Sequence, residues 1–428
     1  MHRQIYRWFR AALCLSPVLL LCGWVGISAL PSPAGRERSE VLCSAGASAA
    51  RAAQPASALL PKAPTGPKIA AATLPGMPPL ADPSNLYSGV SADRFSPAVE
   101  GALPRIYVPN RRSNSVYVID PATHEIVDRF PVGTSPQHVV PSWDLKTLWV
   151  ANNGTRRSSG SLTPIDPKTG RPGNTIPVDD PYNLYFTPDG RSAIVVAERR
   201  KRLDFRDPET MALQQSVATP SCSGINHADF SIDGRYAIFT CEFRGGGLVK
   251  IDLVNHQVLG YLRLSKKGMP QDIRISPDGA TFYVADMHAD GIYLVNGDTL
   301  TQTDFIPTGV GTHGLYPSRD GRELYVANRG SHSTRGAPHG RGSVSVVDFA
   351  AGKIERTWPI PGGGSPDMGN VSADGKQLWL SGRFDNVVYD IDTMSGAVRI
   401  IPVGQEPHGL TVWPQPGRYS LGHTGNMR

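Results

Sequence analysis

The sequence predicts an all-β protein: a seven-bladed β-propeller closed by pairing of the C-terminal strand with the N-terminal three strands of the first blade. Three observations carry that prediction. A turn built on Asp-Gly and followed by an apolar strand recurs at Asp189-Gly190, Asp233-Gly234, Asp278-Gly279, Asp320-Gly321 and Asp374-Gly375, with Asp144-Leu145 as a degenerate copy. Glycine takes the left-handed corner of such a turn at no steric cost, so Asp-Gly between apolar runs marks a tight link between antiparallel strands. The copies lie 42 to 54 residues apart, a period typical of propeller and solenoid arrays. Composition agrees: 45 glycines and 38 prolines with 8 % aromatics in 428 residues suit many short strands rather than helices. The third observation is the strand types left over at the two ends of the array.

Residues 1–30 come first. Arg3, Arg7 and Arg10 precede a charge-free apolar run over 11–30, the layout of an export signal. About 20 apolar residues also suffice to span a bilayer, so the segment reads either as a cleaved signal peptide or as a retained signal anchor. Both place the propeller outside the cytoplasm. Cys14, Cys22 and Cys43 each follow a leucine, where lipid attachment would need a small residue. Residues 31–103 are rich in Ala, Pro and Ser and read as a disordered stalk. Its latter part, 80–103, carries Leu86, Tyr87 and Phe95 and is expected to pack on the propeller.

The propeller spans 104–413. Residues 105–109, 115–120 and 125–132 form strands B, C and D of a blade that lacks its own innermost strand A. Complete sets then start near His138, Asn183, His227, Asp272, His313 and Met368, and 408–412 remain as a lone strand A. Six full blades, B-C-D at one end and A at the other make seven. Closure removes the sheet edges that an open array would expose. Residues 414–428 form a C-terminal tail.

The repeat motifs Ile106-Tyr107-Val108-Pro109-Asn110, Trp149-Val150-Ala151-Asn152 and Tyr325-Val326-Ala327-Asn328 resemble the YVTN-type β-propeller repeat. So do Val118-Ile119-Asp120-Pro121 and the Pro-Val-Gly elements at 131–133 and 402–404. The resemblance covers about 105–412. It implies the fold strongly and the function weakly, because relatives include surface proteins of unknown role, lactonase-type enzymes and haem-binding propellers of the nitrite-reductase type. Pro416-Gly417-Arg418-Tyr419-Ser420-Leu421-Gly422-His423 resembles the tail of a bacterial subgroup of YVTN-repeat proteins and implies no activity.

In a four-stranded blade the B–C loops and D–A connections share one mouth of the ring. Early strand A residues should line the channel there: His138, Asn183, His227, Asp272, His313, Asp367 and His408. Strand B ends behind them with Glu198, Glu242 and Asp286 among others. Four histidines and several carboxylates about one axis suit a polar ligand or a metal; the competing reading is that they satisfy loop backbone and water. The B–C loops add Arg111-Arg112, Arg156-Arg157, Arg199 to Arg202 through Lys201, Arg244, Arg329, Arg335, Arg341 and Arg383. Arginine on six of seven loops predicts a positive field over a concave mouth and forked recognition of carboxylate or phosphate. A net charge of +6 is modest for this length, and no motif points to nucleic acid.

Cys222 precedes strand A of the fourth blade and Cys241 ends strand B of the same blade. Antiparallel pairing brings the two together, so a disulfide is expected in an exported protein; a thiol pair serving the mouth is the rival. The sequence thus predicts a monomeric extracytoplasmic binding propeller for an anionic small molecule or cell-envelope polymer, touching the membrane only through its N-terminal segment. The alternatives are a lactonase-like hydrolase with His138, His227, His313 or His408 as general base and, as implied by the resemblance alone, a haem or tetrapyrrole binder with a mouth histidine as axial ligand. No cofactor is specified.

Overall fold

Seven four-stranded antiparallel sheets follow one another around a central channel. A computed structural model describes residues 73–155, 159–335 and 338–428; the basic and apolar N-terminal segment and most of the Ala/Pro/Ser-rich stretch lie outside the described residues. Blades two to seven begin with the inner strands Pro136–Pro141, Pro181–Phe186, Ile225–Phe230, Pro270–Ile275, Thr312–Pro317 and Pro366–Val371. Blade one is composite. Its sheet order places Thr411–Trp413 inside Arg105–Asn110, Ser115–Ile119 and Ile126–Pro131. The closing register is Arg105↔Trp413, Ile106↔Val412 and Tyr107↔Thr411.

That ladder starts three residues later than the predicted 408–412. The preceding backbone turns sideways onto blade two: Gly409 N–H donates to the Gln137 carbonyl at 2.8 Å, and its own carbonyl accepts from Val139 N–H at 2.9 Å. A Cβ at Gly409 would collide with the His138 ring, so glycine is required for this approach.

The A–B turns show why the repeat is so regular. In each, the Asp carboxylate accepts from the hydroxyl two residues before it, as in Ser318 Oγ to Asp320 at 2.6 Å and Thr187 Oγ1 to Asp189 at 2.6 Å. It also accepts from the backbone N–H two residues after it, Arg322 at 3.1 Å in blade six. The fourth residue has positive φ, +70° at Gly321. In the degenerate copy Leu145 takes the same place at φ 66°, a strained position for leucine that its complete burial offsets.

Burial grades outward. Inner strands are buried at nearly every position, while outer strands such as Ile126–Pro131 are mostly exposed. Apolar side chains interlock between neighbouring blades: Trp379 and Val388 of blade seven pack with Ile106, Val108 and Ile119 of blade one. Such interfaces contribute about 1.5–3 kcal/mol per fully buried large side chain, and they hold the channel walls fixed.

Residues 73–103 run across the A–B turns. Leu74, Leu86 and Asp93 N–H donate to the carbonyls of Asp233, Pro277 and Ala373, Tyr87 Oη donates to the Ile275 carbonyl at 2.6 Å, and Leu86, Tyr87 and Val90 are buried. Cys222 and Cys241 form a disulfide with Cα atoms 5.0 Å apart, which excludes the free-thiol pair in this state.

Candidate functional site

Each inner strand of blades two to seven breaks register near its start, between Pro136 and His138, Pro181 and Asn183, Ile225 and Ala228, Pro270 and Ile273, Thr312 and Gly314, and Pro366 and Gly369. A β-bulge re-aims side chains that a regular strand would send into the blade interfaces. Here it turns residue pairs into the channel. Gln137, Tyr182, Gln271 and His313 face the mouth. His138, Asn183, His227 and Asp272 lie deeper, against the tail.

Beneath the B–C loops is a cavity of about 320 Å³. Six guanidinium groups line it: Arg111, Arg112, Arg199, Arg329, Arg335 and Arg383. Their pairing differs from the open basic rim that the sequence suggested. Arg199 is held by Asp180 at 2.6 Å, and Arg200 by Asp179 at 3.0 Å outside the cavity. Arg111 and Arg112 share Glu406, at 2.7 and 2.6 Å. Arg329 and Arg383 share Asp367, at 2.9 and 3.6 Å. Arg335 has no ion-pair partner among the described residues, and Arg383 Nε is buried without a hydrogen bond. The partners come from D–A connections and inner strands remote in sequence, so the arginine-rich loops alone overstate the free charge. Arg156 and Arg157 lie outside the described residues.

Glu198 and Glu242 also line the cavity. Burial and the neighbouring Glu242 charge raise the Glu198 carboxyl well above its usual range, and the two side chains hydrogen-bond each other. Glu242 accepts from Asn226 at 3.0 Å and Gln271 at 3.2 Å. Burial raises the Glu242 carboxyl as well, so the two desolvated carboxyls titrate as a pair. Asp286 is not part of the cavity: its carboxylate accepts the backbone N–H groups of Met269, His288 and Ala289 at 2.8, 3.0 and 3.0 Å and shapes a turn.

The histidines do not ring an open mouth. Only His313 lines the cavity. Tyr182 forms the floor, its ring 5.3 Å from His138, 5.8 Å from His227 and 6.4 Å from His408, and those three are fully buried. Two groups result, in each of which the potential ligand atoms lie within 4.8 Å of one another: His313, Asp367 and His408, and His138, His227 and His423. Burial pushes His138 and His313 down to about 4 and His227, His408 and His423 well below the usual histidine range, so all five rings are neutral at pH 7. The first group contains its own cation. Arg329 Nη2 contacts His313 Nε2 at 2.5 Å and Asp367 Oδ1 at 2.9 Å. Burial opposes ionisation of Asp367, but the Arg329 guanidinium and the His313 hydrogen bond outweigh it and hold the carboxyl well below its usual range.

The residue that sequence reasoning missed is His423. Residues 414–428 thread into the channel from the A–B turn end. His423 N–H donates to the Leu184 carbonyl, and Asn183 Nδ2 donates to His423 Nδ1 at 3.1 Å. Thr424 Oγ1 reaches the Gly369 carbonyl at 2.8 Å. Arg428 closes the end on Asp229 at 2.7 Å. Asp272 is likewise occupied, by Arg274 at 2.8 Å and the Leu315 N–H at 2.9 Å.

A family model of YNCE-like beta-propellers matches residues 69–416. The chain belongs to that family. The YVTN-type resemblance of its repeats and the seven blades agree with this membership. No curated protein matches. Solved structures similar to this YNCE-like propeller include Kuenenia stuttgartiensis hydrazine synthase, 18 % identical with a TM-score of 0.55 over 69 % of this chain and 94 % of that one. Dihydro-heme d1 dehydrogenase NirN in complex with DHE is 15 % identical, with a TM-score of 0.53 over 75 % of this chain and 76 % of that one. A Bacteroides uniformis protein provisionally described as a 6-phosphogluconolactonase is 19 % identical, with a TM-score of 0.56 over 72 % of this chain and 98 % of that one. At these identities the likeness is one of fold alone.

Proposed function

We propose that this YNCE-like propeller is an extracytoplasmic binding protein whose mouth cavity takes an anionic ligand bearing carboxylate or phosphate. One observation carries the reading: among the described residues around the cavity, six guanidinium groups face five carboxyl groups, those of Asp180, Asp367, Glu406, Glu198 and Glu242, the last two hydrogen-bonded to each other. A cationic excess inside a concave, partly desolvated site attracts anions, and arginine's planar fork suits both oxyanions. Phe243, 42 % exposed, and Tyr182 offer an apolar wall and floor for the rest of the ligand.

Calorimetric titration with a panel of small carboxylates and phosphate monoesters tests this. Arg383→Ala and Arg335→Ala should each weaken the best ligand about tenfold, and affinity should fall with added salt. Unchanged affinity in both variants, or binding insensitive to salt, would remove the basis of the reading.

A second reading, hydrolysis of a lactone or ester, is favoured by the Glu198–Glu242 pair. Two desolvated carboxyls that hydrogen-bond each other can supply both an acid and a base. His138, His227 and His408 lie under Tyr182, so the carboxyl pair replaces them as the acid–base candidate. Turnover of a lactone panel that disappears in Glu198→Gln would select this reading over simple binding.

A further inference from the structure

Below Tyr182 the channel holds imidazoles that the anion-binding reading does not use. His138 donates its Nδ1–H to the Tyr182 carbonyl at 3.0 Å, which leaves a bare lone pair on Nε2. His408 repeats the device, giving Nδ1–H to the Gln137 carbonyl at 3.1 Å. Fixing one ring nitrogen on a backbone carbonyl so that the other is free and oriented is the usual support of a metal-ligating histidine.

The free nitrogen of His138 meets His227 Nε2 at 3.4 Å. Two nitrogens bound at about 2.0–2.1 Å in a tetrahedral shell lie roughly 3.3–3.4 Å apart. The separation is long for a hydrogen bond and right for two ligands of one ion. His423 completes the group, its ring centroid 4.7 Å from His227 and 5.2 Å from His138. His423 Nε2 is buried with no hydrogen-bond partner among the described residues, 3.7 Å from Asp272 Oδ1. A buried polar atom left unpaired costs about 1–3 kcal/mol, and one beside the close His138–His227 nitrogen pair indicates a missing occupant.

We infer that His138, His227 and His423 form a binding site for a borderline divalent transition-metal ion, Cu²⁺ or Zn²⁺. Three imidazoles suit this class and not Mg²⁺ or Ca²⁺, which require oxygen ligands; Asp272 Oδ1, 3.7 Å from His423 Nε2, is held by Arg274. The neighbouring His313–Asp367–His408 group is excluded because Arg329 already supplies the positive charge there. In the metal-free state the Asn183 amide donates to His423 Nδ1, which leaves the ring proton on Nε2; coordination through Nε2 requires the neutral ring to carry that proton on Nδ1 instead, with the Asn183 amide turned to present its oxygen. One ligand comes from the tail and two from inner strands, so the ion ties residues 414–428 to blades two and four.

The test uses the untagged full chain, refolded with Cu²⁺ or Zn²⁺, desalted, and assayed for metal content. The expected result is about one equivalent of metal per chain, with nitrogen hyperfine structure in the Cu²⁺ electron paramagnetic spectrum. Metal should be lost in His423→Gln and His227→Gln and retained in His256→Gln, whose ring stacks on Phe205 far from the channel group. Melting with and without chelator adds a readout on unmutated protein: loading should raise Tm and protect residues 414–428 from protease. Wild-type protein that retains under about 0.1 equivalent of either ion, or His423→Gln that retains as much as wild type, overturns the inference. The mouth variants Arg383→Ala and Arg335→Ala should keep the ion, so failure here is separable from failure of anion binding.

Discussion

The two ends of the channel are closed by opposite means. At the A–B turn end, uniform turns receive both flanking segments of the chain, and the buried Arg319 and Asp229 there are hydrogen-bonded, Arg319 to the Ser372 and Val371 carbonyls. Asp229 accepts from Arg428 at 2.7 Å, Asn426 at 2.8 Å, and the N–H groups of Phe230 and Ile275 at 2.8 and 2.9 Å. At the B–C end the loops differ from blade to blade, guanidinium groups outnumber their partners, and Asp367 Oδ2 and Arg383 Nε have no hydrogen bond among the described residues. A satisfied network fixes structure, whereas an unsatisfied one marks a place for something else. The turn end serves stability, and the mouth is the end proposed for the ligand.

The comparison can be broken by mutation. The largest effect is expected at the closed end: Asp229→Ala strands the buried Arg428 and should cost about 3–5 kcal/mol, read from denaturant unfolding. Next is the disulfide, which joins the start of an inner strand to the end of its neighbour on the mouth side. Replacing Cys222 and Cys241 with Ala removes a cross-link over a separation of 19 residues and should cost about 3 kcal/mol, with a larger loss in the oxidised than in the reduced protein.

A pH-dependent effect follows. Because the folded state holds the Glu198 proton above the unfolded value of about 4.3, the folded protein binds more protons there. Its contribution is neutral below that pH and becomes increasingly unfavourable as pH rises toward the folded value. Glu198→Gln should therefore gain stability relative to wild type between about pH 5 and about pH 9, measured by unfolding at both ends; an equal difference at the two would contradict the raised Glu198 carboxyl. The smallest effect on stability is expected for Arg335→Ala, within about 0.5 kcal/mol, although this residue lies at the proposed ligand site. A large stability loss there would erase the contrast between the ends.

Legibility in the sequence followed locality. The A–B turn is a four-residue unit, so its copies announced the blades, their boundaries and the composite blade one. The pairing of Cys222 with Cys241 followed from strand order. The early positions of strand A were also readable, because a bulge recurs at the same phase, but the alternation between mouth and interior within each pair was not. Partners far apart in sequence were hidden: Glu406 lies 295 residues from Arg111. Asp179, Asp180 and Glu406 do sit in D–A connections, which share the mouth with the B–C loops, and that placement was the available signal for charge pairing. His423 had none. The tail has no periodicity, and its position is set by contacts with Leu184, Gly369 and Asp229 on three blades.

Blade one receives its innermost strand from Thr411–Trp413, more than 300 residues after Arg105. During synthesis the ring therefore stays open until almost the whole chain has emerged, and the edge of Arg105–Asn110 waits unpaired. Folding factors that shield nascent β edges have their longest task here, and a stalled ribosome would leave a template for intermolecular pairing.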